Sequence, residues 1–231
     1  MNTDILLTDA VLLSRPGREG LDGPAYVRIR GDRIASIGAM ADLEKMEADQ
    51  VISAGGSLLM PGLVNAHCHA AMTLFRGLAD DLELAAWLNE HIFPAEAAAV
   101  NPSMVYWCSK LAAAEMLLSG TTTVADGYFY EEEAARAFCE AGMRAVAAQG
   151  VIDFPAPGVP DPADNIRAAA GFLDAWQHRD PLVVPAVFAH SPYTCSAGTM
   201  RRAKDLARSR EALFFVHAAE SPREQSLIRG A

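Results

Sequence analysis

From Leu58 onward the chain alternates helical stretches with short apolar runs, which restricts the fold to βαβ units around a parallel sheet. The runs Leu63–His67, Thr121–Asp126, Arg144–Gly150, Leu182–His190 and Leu213–His217 are the expected strands. Between them, Pro102–Ser119, Glu131–Ala141, Ala163–Gln177 and Gly198–Ser209 carry helical patterns, and a further helix is expected to begin at Ser221-Pro222. Asn101 is placed to cap the first helix, with proline in its first turn, and Gly142 to close the second. The expected fold is α/β, a (β/α)8 TIM-type barrel truncated after about its fifth strand. The stretch from Pro61 to Ala231 falls well short of the ~250 residues of a complete eight-unit barrel.

Residues 1–58 have a different texture. The short runs Ile5–Leu7, Ala10–Leu13, Tyr26–Ile29, Arg33–Ile37 and Gln50–Ile52 are separated by turn residues, with Gly31-Asp32 as a hairpin signal. A small β-sandwich domain is expected to begin here, with 59–231 forming the incomplete barrel. The formal charge of −10 and the presence of only three lysines, Lys45, Lys110 and Lys204, argue against a grip on nucleic-acid phosphates or an anionic membrane surface. No basic segment followed by an apolar one opens the chain, and no window approaches the ~18 apolar residues of a spanning helix. A soluble, cytoplasmic protein is expected, with homo-oligomerisation left open. Cys68, Cys108, Cys139 and Cys195 form no C-x-x-C pair and are expected to be reduced thiols.

The chemistry concentrates at strand ends. In Pro61-Gly-Leu-Val-Asn-Ala-His67-Cys-His69, residues i and i+2 of an extended strand share a face. Both imidazoles can therefore reach one metal ion at the barrel mouth, where this fold puts its chemistry. Alternation turns Cys68 away from that ion. A second element, Phe214-Phe-Val-His217-Ala-Ala-Glu220, ends a strand in a third imidazole and sets a carboxylate three residues on. Glu220 there can exchange protons with an activated water. Taken alone, it reads better as a carboxylate favoured by a helix N-terminus, and it is its place after His217, matched to His67 and His69, that favours catalysis.

The segment Pro61–His69 resembles the first-strand metal motif of the amidohydrolase superfamily. Met72-Thr-Leu-Phe-Arg-Gly77 and Leu84-Ala-Ala-Trp-Leu-Asn-Glu-His-Ile-Phe-Pro-Ala-Glu96 resemble its deaminase and chlorohydrolase branch, most closely the 5′-methylthioadenosine/S-adenosylhomocysteine deaminases. Ser119–Asp126, Gly142–Ala145, His190-Ser-Pro-Tyr-Thr194 and Val216–Glu220 continue the match in order. The resemblance implies one Zn2+ held by His67, His69 and His217, with Fe2+ or another divalent metal as an alternative. It implies that Glu220 shuttles protons in the hydrolytic deamination of an adenine nucleoside, that Glu96 grips the ribose hydroxyls and that His190 lies against the substrate. Trp87 either walls the nucleobase pocket or serves packing.

Gln149 departs from the pattern, because many of these deaminases have an arginine at that place, and recognition of a charged amino-acid tail is left open. The resemblance also implies a metal aspartate and a further catalytic histidine on later strands, so the chain by itself is expected to be catalytically crippled. A two-metal site is disfavoured, because strand four ends in His190 and no lysine stands there to bridge two ions. The rival enzyme readings are deamination or dechlorination of another heterocycle, such as guanine or a triazine. A rival of another class is a non-catalytic scaffold that keeps the fold. His91 and His178 have no strand-end context and are expected to be surface or packing residues.

Overall fold

The computed structural model describes residues 3–13, 23–45, 47–222 and 224–230. The chain divides into two compact units, Met1–Pro61 and Gly62–Ala231.

The first unit is a mixed sheet of β1 (Asp4–Leu12), β2 (Ala25–Arg30), β3 (Arg33–Ala39), β4 (Gln50–Ser53) and β5 (Leu58–Leu59). Gly31, at φ 61°, makes the turn of the β2–β3 hairpin. The runs Ile5–Leu7 and Ala10–Leu13 belong to a single strand, because a bulge between Leu7 and Ala10 lets the chain continue. Asp9 adopts φ 55° there. Before the bulge β1 pairs with β4, and beyond it with β5, both in parallel. Among the described residues this unit is one sheet, and the second layer of the expected sandwich is not among them.

The second unit is a parallel sheet of β6 (Leu63–Cys68), β7 (Thr121–Tyr128), β8 (Arg144–Val151), β9 (Val183–Ala189) and β10 (Leu213–Phe215), hydrogen-bonded in chain order. Between β6 and β7 run a 3-10 turn at Ala70–Phe75, α1 (Leu84–Ala86), a π-helical turn at Trp87–Ile92, α2 (Phe93–Ala99) and α3 (Pro102–Leu118). Asn101 caps α3 by accepting the Met104 N–H at 3.1 Å. The remaining helices are α4 (Glu131–Glu140), α5 (Asn165–Trp176), α6 (Ala197–Ser209) and α7 (Glu224–Gly230).

The helices cover the sheet with small and aromatic side chains. Val105 and Ala113 of α3 and Ala134 and Phe138 of α4 are buried with Val124, Met143 and Ala145 in one cluster. Val151 and Val187 are buried with Leu173 of α5 and Ala203 of α6 in another. Full burial of a side chain such as Phe138 stabilises by about 1.5–3 kcal/mol. Gly62 is required by packing, since a Cβ there would clash with the Thr122 side chain.

Most element ends fall within one or two residues of expectation, and three of the differences have a clear local reason. The helix expected from Ala163 opens as a 3-10 turn at Pro162–Asp164, started by Asp161 accepting the Ala163 N–H. The fifth strand is only three residues long, so His217 lies beyond it; the bond from His217 N–H to His190 O, 3.0 Å, keeps the chain beside β9. The helix expected at Ser221-Pro222 begins at Glu224.

Candidate active site

The end of β6 is irregular. Its register with β7 shifts between Asn65 and Cys68, and the strand stops at Cys68. His69 follows at φ −131°, ψ 72°, ahead of the 3-10 turn. The two histidines therefore converge through a bulge and a turn rather than through plain strand alternation. Their Nε2 atoms are 3.3 Å apart. His217 Nε2 lies 3.2 Å from each of them. His67, His69 and His217 form the group of potential metal-holding side chains found among the described residues.

Three imidazole nitrogens pointed at one another cannot all be satisfied by hydrogen bonds between themselves. Three nitrogens bound to one tetrahedral zinc at the usual 2.0–2.1 Å lie about 3.3–3.4 Å apart, close to the observed edges. The tautomer also suits a cation. His69 Nδ1 is 2.6 Å from Gly127 O, so Nδ1 carries the donated proton and Nε2 presents its lone pair. Burial holds the His69 imidazole down at about 4, leaving it neutral at neutral pH. His217 is lowered by burial as well, against the opposing charge of Glu220. Its Nδ1 is buried without a partner. The residues present therefore fit a divalent metal.

Phe188 forms the aromatic floor of the group, with ring centroids 4.9 Å from His217, 5.7 Å from His190 and 5.8 Å from His69. Gly127 is compatible with that floor because it lacks a side chain; a Cβ there would meet Phe188 Cδ1 at 2.9 Å. Cys68 packs against the core cluster, and burial raises its thiol far above the ordinary range.

Glu220 lines the same cavity as the three imidazoles. Between His217 and Glu220, Ala219 takes a left-handed conformation, φ 61°, which turns the chain. Glu220 Oε2 accepts the Tyr193 O–H at 2.5 Å. The Glu220 N–H donates to Glu224 Oε2 at 2.8 Å. Because α7 starts four residues later, Glu220 is a loop carboxylate held by Tyr193, and the helix-dipole reading of it falls away.

His190, Glu96 and Trp87 line that cavity too. His190 Nδ1 is 2.9 Å from Thr194 Oγ1, and burial holds the ring down at about 3. Glu96 is almost wholly buried and accepts the Tyr128 O–H at 2.6 Å. Burial nevertheless pushes its carboxyl up to about 7. Sequence reasoning gave no role to Tyr193, Tyr128 or Phe188. Tyr193 stood inside the quoted His190–Thr194 motif, while Tyr128 and Phe188 carried only the signal of aromatic residues at strand ends.

A parallel sheet that gathers imidazoles and carboxylates at the C-terminal ends of its strands is the plan of a barrel active site. The family model described as "Amidohydrolase family" matches residues 58–231, and the chain belongs to that family. It is 44% identical over 202 residues to a 5-methylthioadenosine/S-adenosylhomocysteine deaminase of Syntrophus aciditrophicus, covering 87% of this chain and 45% of the relative. It is 39% identical to a 5′-deoxyadenosine deaminase of Methanosarcina mazei, with 96% of this chain and 50% of the relative covered. The crystal structure of an adenosine deaminase from Xanthomonas campestris with bound zinc superposes with a TM-score of 0.90 at 33% identity, covering 97% of this chain and 51% of that one. The chain spans about half the length of the curated relatives it matches.

Proposed function

We propose that the protein is a mononuclear metal-dependent hydrolase that deaminates an adenine nucleoside. The observation that carries this reading is the triangle of His67, His69 and His217 Nε2 atoms, 3.2–3.3 Å on each edge, in one cavity with Glu220, Glu96 and His190. The names of the relatives support the substrate class. In this reading β6–β10 are the first five strands of a (β/α)8 barrel, and the N-terminal sheet is one layer of a small sandwich. The four cysteines are free thiols, in keeping with a cytoplasmic protein. No helix among the described residues is long and apolar enough to cross a membrane.

The imidazoles would hold one divalent ion, zinc by preference for three nitrogen donors, which supplies Lewis acidity and a nucleophilic water at neutral pH. Glu220 carries the protons. Tyr193 occupies its Oε2, so its Oε1 takes a proton from the attacking water and delivers it to the leaving nitrogen, which departs as ammonia. His190, neutral and tethered through Nδ1 to Thr194, lies against the heterocycle. Trp87 walls the base. Glu96 accepts the hydroxyls of the ribose diol.

Because the resemblance places a metal aspartate and a further catalytic histidine on later strands, the test is ammonia release by the full-length protein from 5′-methylthioadenosine, 5′-deoxyadenosine, S-adenosylhomocysteine, guanine and an aminotriazine, with metal content measured alongside. One zinc per chain and fastest release from an adenine nucleoside is the expected result. Faster release from guanine or the triazine overturns the substrate class, and a metal-free, inactive protein supports the scaffold reading instead.

Glu96 gives this reading a pH signature. Only the ionised carboxylate accepts both hydroxyls of a diol, and burial pushes this carboxyl up to about 7. KM for the nucleoside is therefore expected to rise as pH falls, by about tenfold between pH 8 and pH 6. The rise should vanish in Glu96→Gln, whose KM is higher throughout. A KM that stays flat with pH in the parent protein would remove Glu96 from the diol.

A further inference from the structure

Two carboxyl groups that take no part in the chemistry above are buried directly behind the histidine turn. Asp126, in β7, and Glu131, at the start of α4, are both completely inaccessible to solvent. They touch through their side chains, and burial raises both carboxyls. Three of their four oxygens, Asp126 Oδ2 and both Glu131 oxygens, are buried where no well-formed hydrogen bond reaches them. One proton held between the two groups would relieve the pair, since two unpaired buried carboxylates would be very costly. A feature this expensive calls for a reason.

The fourth oxygen supplies it. Asp126 Oδ1 accepts the Ala70 N–H at 2.7 Å. The adjoining residue contributes Gly127 O, which accepts His69 Nδ1–H at 2.6 Å. Two consecutive residues of β7 thus grip His69 from both sides, one through the imidazole and one through the peptide that follows it. The Cys68–Asp126 pairing fixes the height of this grip along the strand after the bulge in β6. Glu131 in turn fixes Asp126. Its own N–H donates to Gln149 Oε1 at 3.1 Å, which ties the start of α4 to β8.

We infer that Asp126 and Glu131 are positioning residues for the metal-ligand turn, holding the His69–Ala70 backbone so that His69 Nε2 meets those of His67 and His217. The inference rests on the reading of the three imidazoles as metal ligands. Outer-shell groups of this kind typically change metal affinity by about 10–100-fold when removed.

The experiment is Co2+ titration of the 231-residue chain, following the visible absorption spectrum of the bound ion and its affinity by chelator competition. Asp126→Ala is the simplest variant, but it leaves Glu131 unpaired and risks the fold. Asp126→Leu/Glu131→Met replaces both carboxyls with apolar groups of similar size, an exchange buried ion pairs often tolerate. It is expected to fold, to bind Co2+ at least tenfold more weakly and to show an altered spectrum. Asp126→Asn keeps an acceptor for Ala70 and should restore affinity to within about threefold of the parent. Parental affinity and spectrum in the double variant, whatever its melting temperature, overturn the inference and leave the metal site standing. Should the parent chain alone not hold Co2+, the same titration is run on the full-length protein, and failure to bind there overturns the metal site and the inference with it.

Discussion

Replacing His217 with alanine is expected to weaken zinc or cobalt binding by a factor on the order of 100, while the chain keeps its fold. The magnitude follows from tetrahedral zinc sites, in which four ligands together contribute about 10–16 kcal/mol, or about 3 kcal/mol for each. The fold should survive because the backbone of His217 is fixed independently of its ring, by the N–H bond to His190 O. The ring itself leaves a half-buried position against Phe188, and Nδ1 has no partner to lose. His67→Ala should have a similar effect, since His67 closes two edges of the same triangle. Metal analysis after dialysis against a weak chelator decides the matter. Full zinc retention in both variants would show that the three nitrogens do not form a metal site.

Glu220→Gln is the second large effect, and it separates chemistry from binding. The amide keeps the volume of the carboxylate, and its oxygen can still accept the Tyr193 O–H, so the loop from His217 to Glu220 should keep its shape. It cannot take up a proton. Turnover is expected to fall by about 10²–10⁴, the range for loss of a general acid–base group, with metal content unchanged. A variant that keeps most of its turnover would move proton transfer to another group, such as His190 in the same cavity. A variant that lost its metal would recast Glu220 as a ligand.

The histidine motif and the strand-by-strand layout were legible without coordinates because they rest on local periodicity. His67 and His69 sat at the end of an apolar run. His217 ended another. Asn101 and Pro102 announced a helix start that the structure repeats to the residue. Contacts whose partners lie across the sheet were not legible in the same way. Nothing near Asp126 in the chain announces that its carboxyl meets Glu131 and the Ala70 N–H, because those contacts depend on the register of β6 against β7 and on where α4 begins. The Tyr193–Glu220 bond spans 27 residues and depends on Ala219 adopting a left-handed conformation that alanine does not ordinarily favour.

The sequence by itself determined the alternation of strands and helices, the residue types that could bind a metal and the order in which they reach the strand ends, since each of these follows from side-chain period and chemistry along the chain. Only the tertiary structure decided that a bulge and a turn, rather than simple alternation, aim His67 and His69 at one point. It also decided which imidazole tautomer is fixed, by Gly127, and which carboxyl is shifted, by burial of Glu96. Tautomers and protonation states are set by the few atoms that surround a group in space, and those atoms come from strands and helices far apart in the chain.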